Sequence, residues 1–149
     1  MDDSLCFRTV SKSDLPDVLR LYAQPDFDDG KVLPVPDAER ILERMMRYPN
    51  YKIYIAVSEG RVVGTFALLI MDNLGHLGAP SAIIEDVAVD LASQGQGIGK
   101  AMMRYAIQLA TEYGCYKVVL SSNLKRERAH SFYESLDFER HGYSFRINT

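Results

Sequence analysis

Apolar positions recur along this chain at two different periods, and the switches between them divide it into elements. Leu15, Val18, Leu19 and Tyr22 fall at three- and four-residue intervals behind a candidate cap at Ser13, with Pro16 in the first turn, which predicts a helix ending by Gln24. Ile41, Leu42, Met45 and Met46 repeat the pattern behind the candidate cap Asp37 and close before Pro49. The period then drops towards two. Tyr51–Ser58 and Arg61–Met71 are dense in tyrosine, isoleucine and valine and are separated by Glu59-Gly60, which predicts a hairpin. Ser81–Val89 follows as a further strand. From about Gly97 to Tyr113 the helical period returns, burying Ile98, Met102, Tyr105 and Leu109 until Gly114 stops it. Phe7–Val10 reads as a first strand and Val118–Ser121 as a fifth. A helix opening near Asn123 carries Ala129, Phe132, Tyr133 and Leu136 on one side, and Phe138–Ile147 alternates around Gly142 as a terminal hairpin. This order describes an α/β fold in which helices cover both faces of a mixed sheet.

Composition bounds the picture. At 149 residues, 47% hydrophobic and 25% charged, the chain fits one domain over 1–149. A net charge of -3 and a pI near 5.6 argue against a general nucleic-acid or membrane-surface role, so neither partner is expected. No apolar run approaches a membrane span and MDDSLCFR lacks the basic start of a signal peptide, so a cytoplasmic location is expected. Cys6 and Cys115 lie in no metal or redox spacing and are expected as free thiols in or near the core. His76, His130 and His141 show no mutual spacing for a metal, and none is expected.

The stretch with chemistry in it is Ile84–Lys100, IEDVAVDLASQGQGIGK. Glycines at 95, 97 and 99 uncover backbone N–H groups where a helix begins, and the first N–H groups of a helix have no partner of their own, so the turn suits a phosphate. Two familiar phosphate loops fail on spacing. GxGxxG would need glycine at Lys100 or Met102, and a P-loop would need glycine at Gln94 and Ser or Thr at Ala101. Upstream, Glu85 and Asp86 occupy successive strand positions and are expected on opposite faces, so that only one faces a ligand.

Gln94-Gly95-Gln96-Gly97-Ile98-Gly99 resembles the Q/R-x-x-G-x-G/A signature of the GCN5-related N-acetyltransferases (GNAT), which bind acetyl-CoA. Downstream, Ala129, Phe132-Tyr133-Glu134 and Leu136-Asp137-Phe138 are similar to that family's AxxFYExxGF motif, with Asp137 where glycine is usual and Arg126 where an asparagine is common. Asp137 suits that position if its backbone is left-handed there. Within the family, IEDVAV, QGQGIGK and YGCYKVVL resemble glucosamine-6-phosphate N-acetyltransferases, whereas SSNLKRERAHSFYE resembles aminoalkylphosphonate N-acetyltransferases.

The resemblance implies a GNAT-like fold with a mostly antiparallel sheet, and transfer of acetyl from acetyl-CoA directly to a primary amine of a small molecule. Peptide acetylation and a silent acyl-CoA-binding module are the alternatives, and a homodimer is compatible with the family. Residues then take roles by position. Glu85 is the candidate base, and Tyr133 the candidate donor to the departing thiolate. Backbone N–H groups of Val87, Ala88 and Val89 hold the pantetheine arm and polarise the acetyl oxygen. Gln94, Gly95, Gln96, Gly97, Ile98, Gly99 and Lys100 cradle the pyrophosphate, with Asn123, Arg126 and Phe132 as further cofactor contacts. Acceptor contacts come from loops such as Pro25–Pro36, with Asp26, Asp28 and Asp29, and Met71–Pro80, with His76.

Overall fold

In the computed structural model, which describes residues 5–122 and 124–149, the predicted hairpin is the middle of the sheet. β2 (Tyr51–Ser58) and β3 (Arg61–Met71) pair antiparallel around Glu59 and Gly60, both left-handed at φ 51° and 75°, as a two-residue hairpin turn requires. β1 (Cys6–Thr9) joins β2, and β4 (Ser81–Val89) joins β3, both antiparallel. With β5 (Val118–Leu120), the order is β1-β2-β3-β4-β5.

The helices divide between the two faces. α1 (Leu15–Tyr22) and α2 (Val35–Met45) cover one: Val18 and Leu21 pack with Ile55, Val62 and Ala88, while Leu15 and Leu19 pack with Ala38 and Leu42. α3 (Ile98–Glu112) covers the other, where Tyr105 stacks on Phe7 and meets Tyr54 edge to face. Tyr54 and Ile55 are successive strand residues, so their partners lie on opposite sides.

Three details depart from the pattern. α2 begins at Val35 behind Pro34, not behind Asp37, because Pro36 is tolerated in a first turn that needs no N–H from it. Its stripe is Ala38 and Leu42, and Met46 is 72% exposed. α3 buries Met103, Ala106 and Ala110 in place of Tyr105 and Leu109, since alanines let a helix sit close to a sheet. Cys6 is exposed on an edge strand, so it is not a core thiol.

The chain divides into two compact units, Met1–Val119 and Leu120–Thr149. The second contains α4 (Glu127–Glu134) and no strand over residues 138–149. The expected terminal hairpin is therefore absent from the described residues. Alternation makes a strand only where a ladder partner exists, and Tyr143, Phe145 and Ile147 stay 85%, 91% and 85% exposed. No helix among the described residues is long and apolar enough to cross a membrane.

Candidate active site

β4 runs into the glycine turn through a fastened corner. Asp90, buried at the end of β4, accepts from Arg20 and Arg61 at 3.0 Å each and from the Ala92 N–H at 3.0 Å. Burial pushes its carboxyl up, but these donors outweigh burial and hold it below the usual range. Gln24, just past α1, donates its amide to the carbonyls of Leu21 and Val89 and accepts the Leu91 N–H at 2.8 Å. Beyond that corner Gly95 and Gly97 are left-handed, at φ 81° and 80°, and nothing lies within 4 Å of where a Cβ would stand on either. Gly97 caps α3 with no side chain, and the first internal bond of the helix is Ala101 N–H to the Gly97 carbonyl. The N–H groups of Ile98, Gly99 and Lys100 thus have no helical partner, and the first turn holds no carboxylate. Ile98 is buried, so only its backbone is available, whereas Gln94, Gly95, Gln96, Gly97 and Lys100 are exposed.

β4 itself is irregular where the chemistry is expected. Thr65 pairs with Ala88 and Ala67 with Glu85, so Phe66 faces both Asp86 and Val87: a β-bulge. Asp86 is left-handed at φ 53°. The expectation that Glu85 and Asp86 lie on opposite faces assumed a regular strand, and the strand is irregular at Asp86. Asp86 acts electrostatically on Tyr22 of α1, and both carboxylates act on Tyr51. Past the bulge, the Asp90 N–H reaches the Val63 carbonyl at 2.8 Å, which fixes the alternation. Ala88 accordingly turns its N–H to Thr65, while Val89 turns its own away from β3.

Residues 15–138 match the acetyltransferase (GNAT) family. The chain belongs to that family.

Among relatives, glucosamine 6-phosphate N-acetyltransferase of Trypanosoma brucei brucei is 35% identical over 97 residues, covering 65% of this chain and 64% of its own length. Across eight of the curated relatives it matches, this GNAT chain spans 34% to 64% of their length. A solved chain from Agrobacterium tumefaciens str. C58 superposes with a TM-score of 0.90 at 33% identity, over 97% of this chain and 99% of that one. An aminoglycoside acetyltransferase from an uncultured soil metagenomic sample, solved in complex with sisomicin, superposes at 0.81 with 26% identity, over 99% and 97% of the two chains.

The second GNAT motif lies in the Leu120–Thr149 unit. Arg126 is the backbone cap of α4, Phe132 meets Tyr133 edge to face at 5.3 Å, and Tyr133 meets Phe138 likewise at 5.8 Å. Burial raises the Tyr133 phenol above its ordinary pKa, against a lowering from Arg126. Asp137 is left-handed at φ 67° just past the helix, the conformation its place in the motif requires. Asn123 lies outside the described residues.

On the sheet unit, two groups were missed by sequence reasoning. Gln24 gave no signal, because its partners are 65 and 67 residues away. The helical period marks Tyr22 only as core; its phenol is strongly raised, first by burial and then by Asp86, and its ring stacks on Phe27 at 4.6 Å. The acidic loop is folded rather than loose, with Asp28 N–H on the Tyr22 carbonyl and Gly30 N–H on the Ala23 carbonyl at 2.9 and 2.8 Å. His76, an expected acceptor contact, stacks on Tyr116 at 4.3 Å.

Proposed function

We propose that this GNAT chain is an acetyl-CoA-dependent N-acetyltransferase that acetylates a primary amine of a small molecule. The observation that carries the reading is the left-handed Gly95–Gly97 turn, open above both glycines, leading into a helix start with neither a side-chain cap nor a carboxylate. That arrangement suits the pyrophosphate of acetyl-CoA, whose thioester supplies the acyl group. Backbone groups of residues 94–100 and the Lys100 ammonium hold the diphosphate, and Arg126, Asn123 and Phe132 add contacts. The outward Val89 N–H and that of Val87 polarise the acyl oxygen. A carboxylate of the Glu85-Asp86 pair removes the ammonium proton, and Tyr133, which keeps its proton at neutral pH, supplies one to the departing sulfur.

The acceptor class follows the relatives, which are named for an amino sugar phosphate and for aminoglycosides. Amino sugars are therefore the first acceptors to try. We also propose a cytoplasmic location and a homodimer, tested by fractionation and by light scattering. The activity is tested by free-thiol release from acetyl-CoA with amino sugars, aminoglycosides, aminophosphonates, polyamines and peptides. Release with one of the small amines supports the reading, release only with peptides redirects it to proteins, and acetyl-CoA binding without release on any amine reduces the chain to a binding module. Gly97→Val should abolish acetyl-CoA binding in a folded protein; unchanged affinity counts against the cradle.

A further inference from the structure

We infer that Asp86, not its neighbour Glu85, is the base that takes the proton from the acceptor ammonium, presented by the bulge in the middle of β4. The inference rests on the acetyltransferase reading and assigns one step within it. Three observations converge on Asp86. The first is its backbone: it is the one residue of β4 held in the left-handed region, which costs an ordinary residue conformational energy and which a strand adopts only when the surrounding structure imposes it. Bulges of this kind re-aim a side chain, and they gather next to active sites.

The second is what the re-aimed carboxylate meets. It acts on Tyr22 of α1, which also bonds to Thr65 of β3, and on Tyr51 of β2, while Asp28 of the loop between α1 and α2 acts on it. Glu85, on its own strand, adds a further negative charge beside Tyr51. The titratable groups coupled to Asp86 are thus two phenols and another carboxylate, with no cation among them.

The third is the contrast with the two buried carboxylates of this unit. Asp14 and Asp90 are each bound by arginine, Asp14 by Arg8 and Asp90 by Arg20 and Arg61. Among the described residues no cation pairs with Asp86 or with Glu85, so the missing counter-ion marks the pair and the left-handed backbone singles out Asp86 within it. Asp86 is exposed to solvent and has no counter-ion, an arrangement open to a cation or a proton, and the protein packed around it, reinforced by Asp28, raises its pKa. In the reaction, the ammonium gives one proton to the Asp86 carboxylate and becomes a neutral amine. As the N–C bond forms and the C–S bond breaks, the amine's next proton leaves and the sulfur gains one. Asp86 then returns its proton to water, so one proton is released per acetyl transferred.

Asp86→Asn is the clean variant, because asparagine adopts the left-handed region about as readily as aspartate. The experiment is the pH dependence of kcat/KM on the amine that the wild type turns over fastest, with acetyl-CoA affinity and Tm measured alongside. The wild-type profile should fall on the acid side through a limb above the ordinary aspartate pKa of about 3.9. Asp86→Asn should lower kcat by about 100-fold or more, lose that limb, leave acetyl-CoA affinity unchanged and melt no lower than the wild type. Glu85→Gln should keep the limb. In an active wild type, a limb that survives Asp86→Asn and disappears in Glu85→Gln overturns the assignment alone. Failure of the wild type on every amine overturns the acetyltransferase reading and the assignment with it. Independently of any acceptor, carbon NMR of labelled aspartate should show Asp86 titrating above the ordinary range, and a midpoint at or below about 3.9 also overturns the assignment.

Discussion

Asp14 shows how one side chain can hold a strand, a turn and a helix together. Its carboxylate accepts two bonds from Arg8 on β1, at 2.6 and 2.9 Å, and the Ser11 N–H and hydroxyl at 2.8 Å each, just before α1 starts. The Arg8 bonds dominate, and against the cost of burial they hold the carboxyl well below the usual range. A depressed folded-state pKa contributes stability that is present above the unfolded value and lost as pH falls through the folded one. Asp14→Asn should therefore cost about 1–2 kcal/mol at pH 7, and the gap to wild type in urea melts should narrow steadily below about pH 4. A gap equal at pH 7 and pH 2.5 would show that the charge contributes nothing. This cap is half legible: a turn before Leu15 follows from local spacing, but that spacing favours Ser13, because the arginine that selects Ser11 and Asp14 arrives from β1. Asp86 was illegible for the same reason in a stronger form. Its conformation comes from the β3–β4 register, which no local pattern encodes.

Among the elements, those that their own residues specify were the legible ones. The bounds of β2, β3 and β4 follow from period and turn chemistry within each segment, whereas residues 138–149 had the period without a partner. The seating of α3 on the sheet lies between these cases. Gly64 on β3 has no Cβ because one there would overlap the Met102 sulfur of α3, with Ala88 O at 3.4 Å and Ile98 at 3.5 Å closing the other sides. α3 also begins at the cradle, so a shift of the helix moves the predicted diphosphate donors. Gly64→Ala should lower stability by about 1–3 kcal/mol and weaken acetyl-CoA binding in calorimetry. Gly64→Ala with Met102→Ala should cost less than the sum of the two single changes, because the alanine methyl then occupies space the sulfur has left. Strict additivity would mean that the two residues do not compete for space.

At the scale of the whole molecule, stability is distributed unevenly. All the fully buried apolar residues among those described fall between Leu15 and Ala110, inside the Met1–Val119 unit, while α4 buries none of its residues. The Leu120–Thr149 unit should therefore open locally at low cost, and exposed Lys125, Arg126, Arg128, Arg140 and Arg146 offer trypsin its sites there. Limited proteolysis should cut within residues 125–146 first and leave a fragment ending near that boundary. A first cut inside residues 15–110, or the lack of a stable fragment ending near that boundary, would show that the second unit is no less stable than the first.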